Sequence, residues 1–444
     1  MDTETLFPMP EMPKQDAVPE EVSLGLGTAR LHCAQRHQWQ WEPMELDSLL
    51  EPEHRARAVW AFVELIELKD LYAQIGSREG HAGRPAIDPK ILLALWIYAI
   101  TEGVGSAREL ADLCTRHTAY RWLCGGVGTN YHTLADFRTG QRKILDDLLT
   151  QSIGVLLHAG VVELKRVAQD GVRVRASAGA DTFRRKKTLA KCLEEARQEV
   201  QRLSGELEVE PGVLSRSQKA ARKRAARERQ ERLEEALRAW EKVAAPRKAS
   251  EQEEVRISTT DPEARVMKMG DGGFRPAYNV QFASDLKSQV VVGVSVNNVG
   301  SDKGQMTPMV EQIERRTGQA PEELLVDGGY ATIEDLEQVT AAPHGCVVYA
   351  PLQKPKKEGV DVHAPHKGDS EVVAEWRKRM GTEEAKTIYK ERAREECVNA
   401  QARNRGLVQF PVRGADKVLS IALWFGLAQN FMRILALGVL DSGP

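Results

Sequence analysis

Tyr389, Arg392, Glu396 and Arg403 stand at offsets 0, 3, 7 and 14 in the stretch YKERAREECVNAQAR. On a helix turning about 100° per residue, these four share an arc of roughly 60°. Lys390, Glu391 and Arg394 point elsewhere on that wheel. One narrow face therefore carries an aromatic ring, a carboxylate and two guanidiniums, and two chemistries suit it. A surface helix laced with ion pairs needs only Arg392 and Glu396 at i,i+4, a contact of about a few tenths of a kcal/mol. A metal site needs the carboxylate, with the arginines placed to hold a phosphate. Taken alone, the segment favours the ion-paired helix.

Two aspartates elsewhere change that balance. Asp170 lies inside the alternating, β-branched stretch VVELKRVAQDGVRVRASAG, and Asp327 closes the apolar run of ELLVDGG. A carboxylate at the carboxyl end of a strand sits where open α/β sheets bind ligands. Gly328 and Gly329 beside it allow a phosphate backbone to approach. The plainer reading of VDGGY is an Asp-Gly turn, and GDGGF at 270–274 reads as such a loop. Two strand carboxylates and one helix carboxylate repel one another unless divalent cations neutralise them. All-oxygen ligands suit Mg²⁺. Two such ions about 4 Å apart activate a water or hydroxyl and stabilise the leaving oxygen of a phosphodiester.

The elements that must position these residues follow from periodicity. Residues 1–49 are Pro- and Gln-containing and weakly periodic, a loose lead-in. Residues 50–158 read as all-helical. Asp88 and Pro89 form an N-cap and N1 pair, Ser106 caps a short helix, and Thr133 with Asp136 caps one running to about His158. A helix-turn-helix there would set Arg116, His117, Tyr120 and Arg121 on DNA, and an ordinary helical bundle with surface arginines fits equally well. Residues 183–254 form an antiparallel helical hairpin interrupted at EPGVLS. Its sparse seam is Leu189, Leu193, Val200, Leu203 and Leu207 against Leu233, Leu237 and Trp240. Basic clusters RRKK and KAARKRAARERQ on it suit either phosphates or solvent. Residues 159–182 and 255–440 alternate strands and helices, which predicts a mixed α/β (α+β) sheet flanked by helices.

Composition narrows the class further. With 42% hydrophobic and 28% charged residues the chain is a folded protein, and a net charge of −2 neither favours nor excludes nucleic acid. The six cysteines include no Cys-x-x-Cys pair, which argues against a zinc knuckle or disulfide framework and for a reducing cytoplasm. MDTETLFPMPEMPKQD is no secretory signal, and the apolar runs ILLALWIYAI and IALWFGLA are too short to cross a bilayer. His32 and His37 near Cys33 read as chance spacing. His363 and His366 lie in a charged loop, and no Gly-x-Ser-x-Gly elbow supports a hydrolase.

Taken together, the motifs resemble those of bacterial insertion-sequence transposases of the DDE class. Tyr389, Arg392, Glu396 and Arg403 resemble the Y-x2-R-x3-E-x6-K signature, with arginine where lysine is usual. AQDGVRVRASA and LLVDGGYAT resemble the strands of the first and second aspartates. STTDPEARVMKMGDGGFRPAYNVQ, FPVRGADKV and the helical GRPAIDPKILLALWIYAITEGVGSARELADLC are similar to further stretches of these enzymes. The resemblance implies an RNase H-like catalytic core with an N-terminal all-helical, DNA-binding domain and an inserted helical hairpin. It implies that Asp170, Asp327 and Glu396 bind two Mg²⁺ (or Mn²⁺) ions, and that Tyr389, Arg392, Arg403 and Arg413 hold end DNA. It further implies double-stranded DNA partners (terminal inverted repeats and target), a homodimer on paired ends, no membrane, and a bacterial cytoplasmic, nucleoid-associated location. A nuclease that cuts without strand transfer, or an inactive DNA-binding coiled-coil protein, are the alternatives.

Overall fold

Asp88 opens the most apolar helix as its sequence demands, its carboxylate accepting the N–H of Lys90 at 2.9 Å while Pro89 takes the first helical position. The computed structural model describes residues 45–78, 84–209, 216–353 and 361–439. Nearly all of the expected lead-in, with His32, Cys33 and His37, the EPGVLS interruption and the side chain of Leu207 lie outside the described residues.

Seven helices come first: α1 (Arg55–Glu64), α2 (Lys69–Ala73), α3 (Pro89–Thr101), α4 (Ala107–Arg116), α5 (Thr118–Cys124), α6 (Tyr131–Gly140) and α7 (Arg142–His158). Ser106 caps α4 as expected. The cap expected at Thr133 is instead Asn130, whose Oδ1 accepts the Thr133 N–H at 3.0 Å. Thr133 thus lies inside α6, and the helix expected to reach His158 is broken at Gln141. His117 alone separates α4 from α5, ending one and capping the other with Nδ1. Tyr120 does not face outward as the helix-turn-helix reading required. It is buried edge-on against Tyr98 at 5.1 Å, because position 120 lies on the face of α5 that carries Ala119, Leu123 and Cys124 into the core.

The sheet begins with β1 (Arg166–Arg175), and β2 (Phe183–Arg184) leads into α8 (Lys186–Val209) and α9 (Arg216–Ala244). Leu189, Leu193, Leu233 and Trp240 of that hairpin are buried together in their own apolar cluster, closed by Val255 and Ile257. After α10 (Ala249–Gln252) and β3 (Ile257–Ser258), which pairs with β2, the chain returns as β4 (Arg265–Lys268), β5 (Phe274–Asp285) and β6 (Val291–Asn297). GDGGF is the loop joining β4 to β5, with Met269 N–H bonded to the Gly273 carbonyl at 2.7 Å. Next come α11 (Met306–Thr317), β7 (Glu323–Leu325), α12 (Ile333–Thr340), β8 (Val347–Tyr349), α13 (Glu371–Met380), α14 (Glu383–Lys390), α15 (Ala393–Asn404) and α16 (Ala415–Ala436).

The main sheet is mixed. β5 runs antiparallel to β1, with β4 and β6 antiparallel along its other edge, while β7 and β8 extend the sheet parallel to β1. α16 packs on β6 and on α3, α6 and α7, so the first helices and the sheet share one apolar core. By length and composition α16, which extends the run IALWFGLA on both sides, is the one described helix able to cross a membrane. Its side chains from Ser420 to Phe431 are all buried inside the protein, which marks it as a core helix.

Candidate active site

Asp170 sits at the middle of β1, opposite Phe282 of β5. On the other side, Ala168 pairs with Leu325 of β7 in parallel register. The paired register ends there, and Asp327 follows two residues later, just past the strand that neighbours β1. Asp327 is exposed at the carboxyl end of β7. The plainer reading of VDGGY holds locally: Asp327 Oδ1 accepts the Gly329 N–H and its carbonyl accepts the Tyr330 N–H at 3.1 Å. Gly328 is needed for packing, since a Cβ there would stand 2.6 Å from the Pro351 carbonyl at the end of β8.

The segment from Tyr389 to Arg403 is not one helix. α14 ends at Lys390 and α15 begins at Ala393, with Glu391 and Arg392 in the turn between them. Arg166, at the start of β1, fixes this turn: its guanidinium bonds Glu323 at 2.5 Å and Glu391 at 2.9 Å. Arg394 reaches the Leu286 carbonyl at 3.0 Å. Both Glu391 and Arg394 therefore face away from the carboxylates, as the helical wheel predicts. The break leaves Arg392 within 5.9 Å of the Tyr389 ring centre and 3.0 Å from Glu396.

Arg392 is the hub of the cluster. One of its terminal nitrogens holds Glu396, and the other, buried and without a hydrogen bond, stands 3.6 Å from Asp170. Asn399, one turn beyond Glu396, donates to the second oxygen of Asp170 at 2.8 Å. Burial raises the pKa of Asp170, and Arg392 and Asn399 pull it back. Burial likewise raises that of Tyr389, which senses Arg392 and, more weakly, the charges of Asp327 and Asp170. Tyr389, Arg392, Asp170, Asp327 and Glu396 thus belong to one neighbourhood.

Arg403, Arg413 and Arg121 do not join it. Arg403 is exposed near the end of α15, about 10 Å along the axis from Glu396. Arg413 bonds the Ser177 carbonyl at 3.2 Å, in a cleft with Asp136 and Glu263. Arg121 is half-buried on α5.

Glu395 was not singled out by sequence reasoning, yet it is fully buried beneath the cluster. The Ser284 hydroxyl of β5 donates to its Oε2, its Oε1 has no partner, and burial drives its pKa well above the ordinary range. Asn399 was also missed, although on the same wheel it falls only about 20° outside the arc.

Among the described residues, no three or more His, Cys, Asp or Glu side chains stand together closely enough to hold a metal ion. Arg392 lies between Asp170 and Glu396, where its positive charge does the neutralising. The donor chemistry nevertheless suits a hard cation: all three carboxylates supply oxygen, and those of Asp327 and Glu396 face solvent.

The helices preceding this site are similar to a known family. Residues 44–140, from before α1 through α6, match the family model of a transposase domain (DUF772). No curated protein and no solved structure matches the chain.

Proposed function

We propose that the protein is a DNA transposase of the DDE class, cutting the ends of an insertion sequence and joining the freed 3′-hydroxyl to target DNA. The observation that carries this reading is Arg392 held between Asp170 of β1 and Glu396 of α15, beside Tyr389, which also senses the charge of Asp327 just past β7. They stand in one chain with a transposase-domain match. The strand order supports an RNase H-like core: an antiparallel β6-β5-β1 set continued by parallel β7 and β8.

In this reading Asp170, Asp327 and Glu396 would hold two Mg²⁺ (or Mn²⁺) ions, which supply an activated water and charge neutralisation at the phosphodiester. The chain's own groups do the positioning. Arg392 exchanges Glu396 for a DNA phosphate, and its departure frees both carboxylates to act as ligands. Asn399 keeps the Asp170 carboxylate turned toward the site. Tyr389 packs beside Arg392 and limits its range. Arg403, Arg413 and Arg121, lying outside the cluster, serve as contacts to the flanking double-stranded DNA. Helices α1–α7 form its DNA-binding part, and two copies act on paired ends in a bacterial cytoplasm.

The test uses purified protein and labelled duplexes carrying the segments that flank its own gene, with Mg²⁺ or Mn²⁺. Metal-dependent nicks at fixed positions that vanish in Asp327→Ala are expected, together with joined products. Nicks without joining would make the protein a nuclease. Binding without cutting, unchanged by Asp327→Ala, would refute the catalytic reading.

A further inference from the structure

A separate cavity of about 430 Å³ lies between the start of α4, α6 and the loop that follows α15. None of the three carboxylates lines it. Tyr131, Leu407, Ile421 and Phe425 give it an apolar, partly aromatic wall, and Arg138 is its buried polar group.

Arg138 is in an unusual position for a guanidinium. It is 7% exposed, one terminal nitrogen donates to the Gly105 carbonyl, and its Cζ lies 4.7 Å from the centre of the Trp96 ring. Its Nε is buried and has no hydrogen-bond partner. Burial alone pushes its pKa down, to about 10, with no carboxylate acting on it. Arg316, equally buried, differs in facing Asp146. A charge taken out of water without a counter-ion is strongly unfavourable, so a fold that keeps one at a cavity wall is suited to an anion that arrives from outside.

Two further features agree. Ser106, Ala107 and Arg108, the cap and first turn of α4, line the same cavity and present the positive end of a ten-residue helix. Arg108 lies over the Tyr131 ring at 5.1 Å, adding a second cation.

The position also fits the proposed reaction. Arg175, the last residue of β1, is bonded to Val408 and Phe410 of the loop after α15 at 3.1 and 2.8 Å. The cavity therefore stands at the far ends of the two elements that carry Asp170 and Glu396. Gly406 is ten residues beyond Glu396, roughly 15 Å along a helical path, or about four base-pair steps of duplex.

We propose that this cavity is a nucleotide subsite, taking one unpaired nucleotide of a DNA strand with its ring against Tyr131 and Phe425 and its phosphate on Arg138 and the start of α4. Its role in strand handling rests on the transposase reading, whereas its binding chemistry does not.

The probe is thymidine 5′-monophosphate, titrated by calorimetry into the full chain in EDTA, beside thymidine and inorganic phosphate. The monophosphate binds saturably and more tightly than either fragment. Arg138→Met weakens it roughly 10- to 100-fold, the range for a charge-assisted bond. The same variant unfolds at an equal or higher temperature, since an uncompensated buried charge is gone. Tyr131→Ala, a change at a partly exposed ring, also weakens the nucleotide. Unchanged affinity in either variant, no saturable binding, or phosphate binding as well as the nucleotide would overturn the proposal. Asp327→Ala binds the probe normally, and a parent chain that binds the nucleotide but cuts no DNA with Mg²⁺ or Mn²⁺ would sink the transposase reading and leave the subsite standing.

Discussion

Glu395 offers a sharp test of how the site is built. Its side chain is fully buried, with one oxygen bonded to Ser284 and the other unpartnered, and burial raises its pKa well above 4.5. Burial in this position favours the neutral acid. Glu395→Gln keeps the volume and an oxygen for the Ser284 hydroxyl, so below pH 4.5 the stability change stays within about 1 kcal/mol, and at neutral pH the variant is the more stable chain. Glu395→Ala instead removes a buried methylene, worth about 0.8 kcal/mol. It also leaves Ser284 unpaired at about 1–3 kcal/mol, for a total loss of about 2–4 kcal/mol. The pH dependence has a definite sign. Because the folded state binds this proton more tightly than the unfolded chain, stability is greatest below pH 4.5 and falls as pH rises toward the folded pKa. Each unit between the two values costs about 1.4 kcal/mol above both. Asp170, also raised by burial, contributes with the same sign from 3.8 upward. Urea unfolding in EDTA from pH 5 to pH 8 should therefore give a flatter stability curve for Glu395→Gln than for the parent. If the glutamine variant loses as much stability as the alanine one, Glu395 is ionised in the fold and this reasoning is wrong.

Other substitutions probe neighbouring elements. Arg392→Lys keeps one charge but cannot face Asp170 and Glu396 together, so end cleavage should fall by roughly 10- to 100-fold, read by gel under single-turnover conditions. Gly328→Ala places a methyl against the Pro351 carbonyl and should cost about 1–3 kcal/mol in chemical unfolding, while unchanged stability would mean that β8 moves aside freely. Asn130→Ala removes the cap of α6 and should cost about 1 kcal/mol, whereas Thr133→Val, at the position the sequence pattern marks as the cap, loses only an exposed bond from the Asn130 amide and should cost less.

Strand alternation and helix caps made much of this fold legible. Asp170 and Asp327 were readable because a carboxylate inside or at the end of an apolar strand departs from its pattern, and strands state their register every second residue. The helical face was legible only in part. Arg392 and Glu396 meet as an i,i+4 pair, but the turn at Glu391 and Arg392 depends on Arg166, more than two hundred residues away, and no local period encodes it. Glu395 stayed hidden because a buried acid beside an exposed one looks like an ordinary solvated pair until Ser284 is seen to cover it. Tyr120 and Arg138 were misjudged or overlooked for the same reason: which face of a short helix turns inward is decided by distant partners. For Tyr120 the partner is Tyr98, and for Arg138 the covering ring is Trp96.

The place of α16 bears on how the molecule comes off the ribosome. Trp424 donates to the Arg138 carbonyl at 3.0 Å and lies 6.4 Å from the Trp96 ring, and Phe431 meets Phe62 at 5.5 Å. Helices α1, α3 and α6 thus wait for α16, far later in the chain, before their apolar faces are covered. A nascent chain paused within the helical hairpin holds an unfinished helical half with its core open to solvent, a target for chaperones and proteases. A chain cut short before α16 would accordingly leave no stable helical fragment.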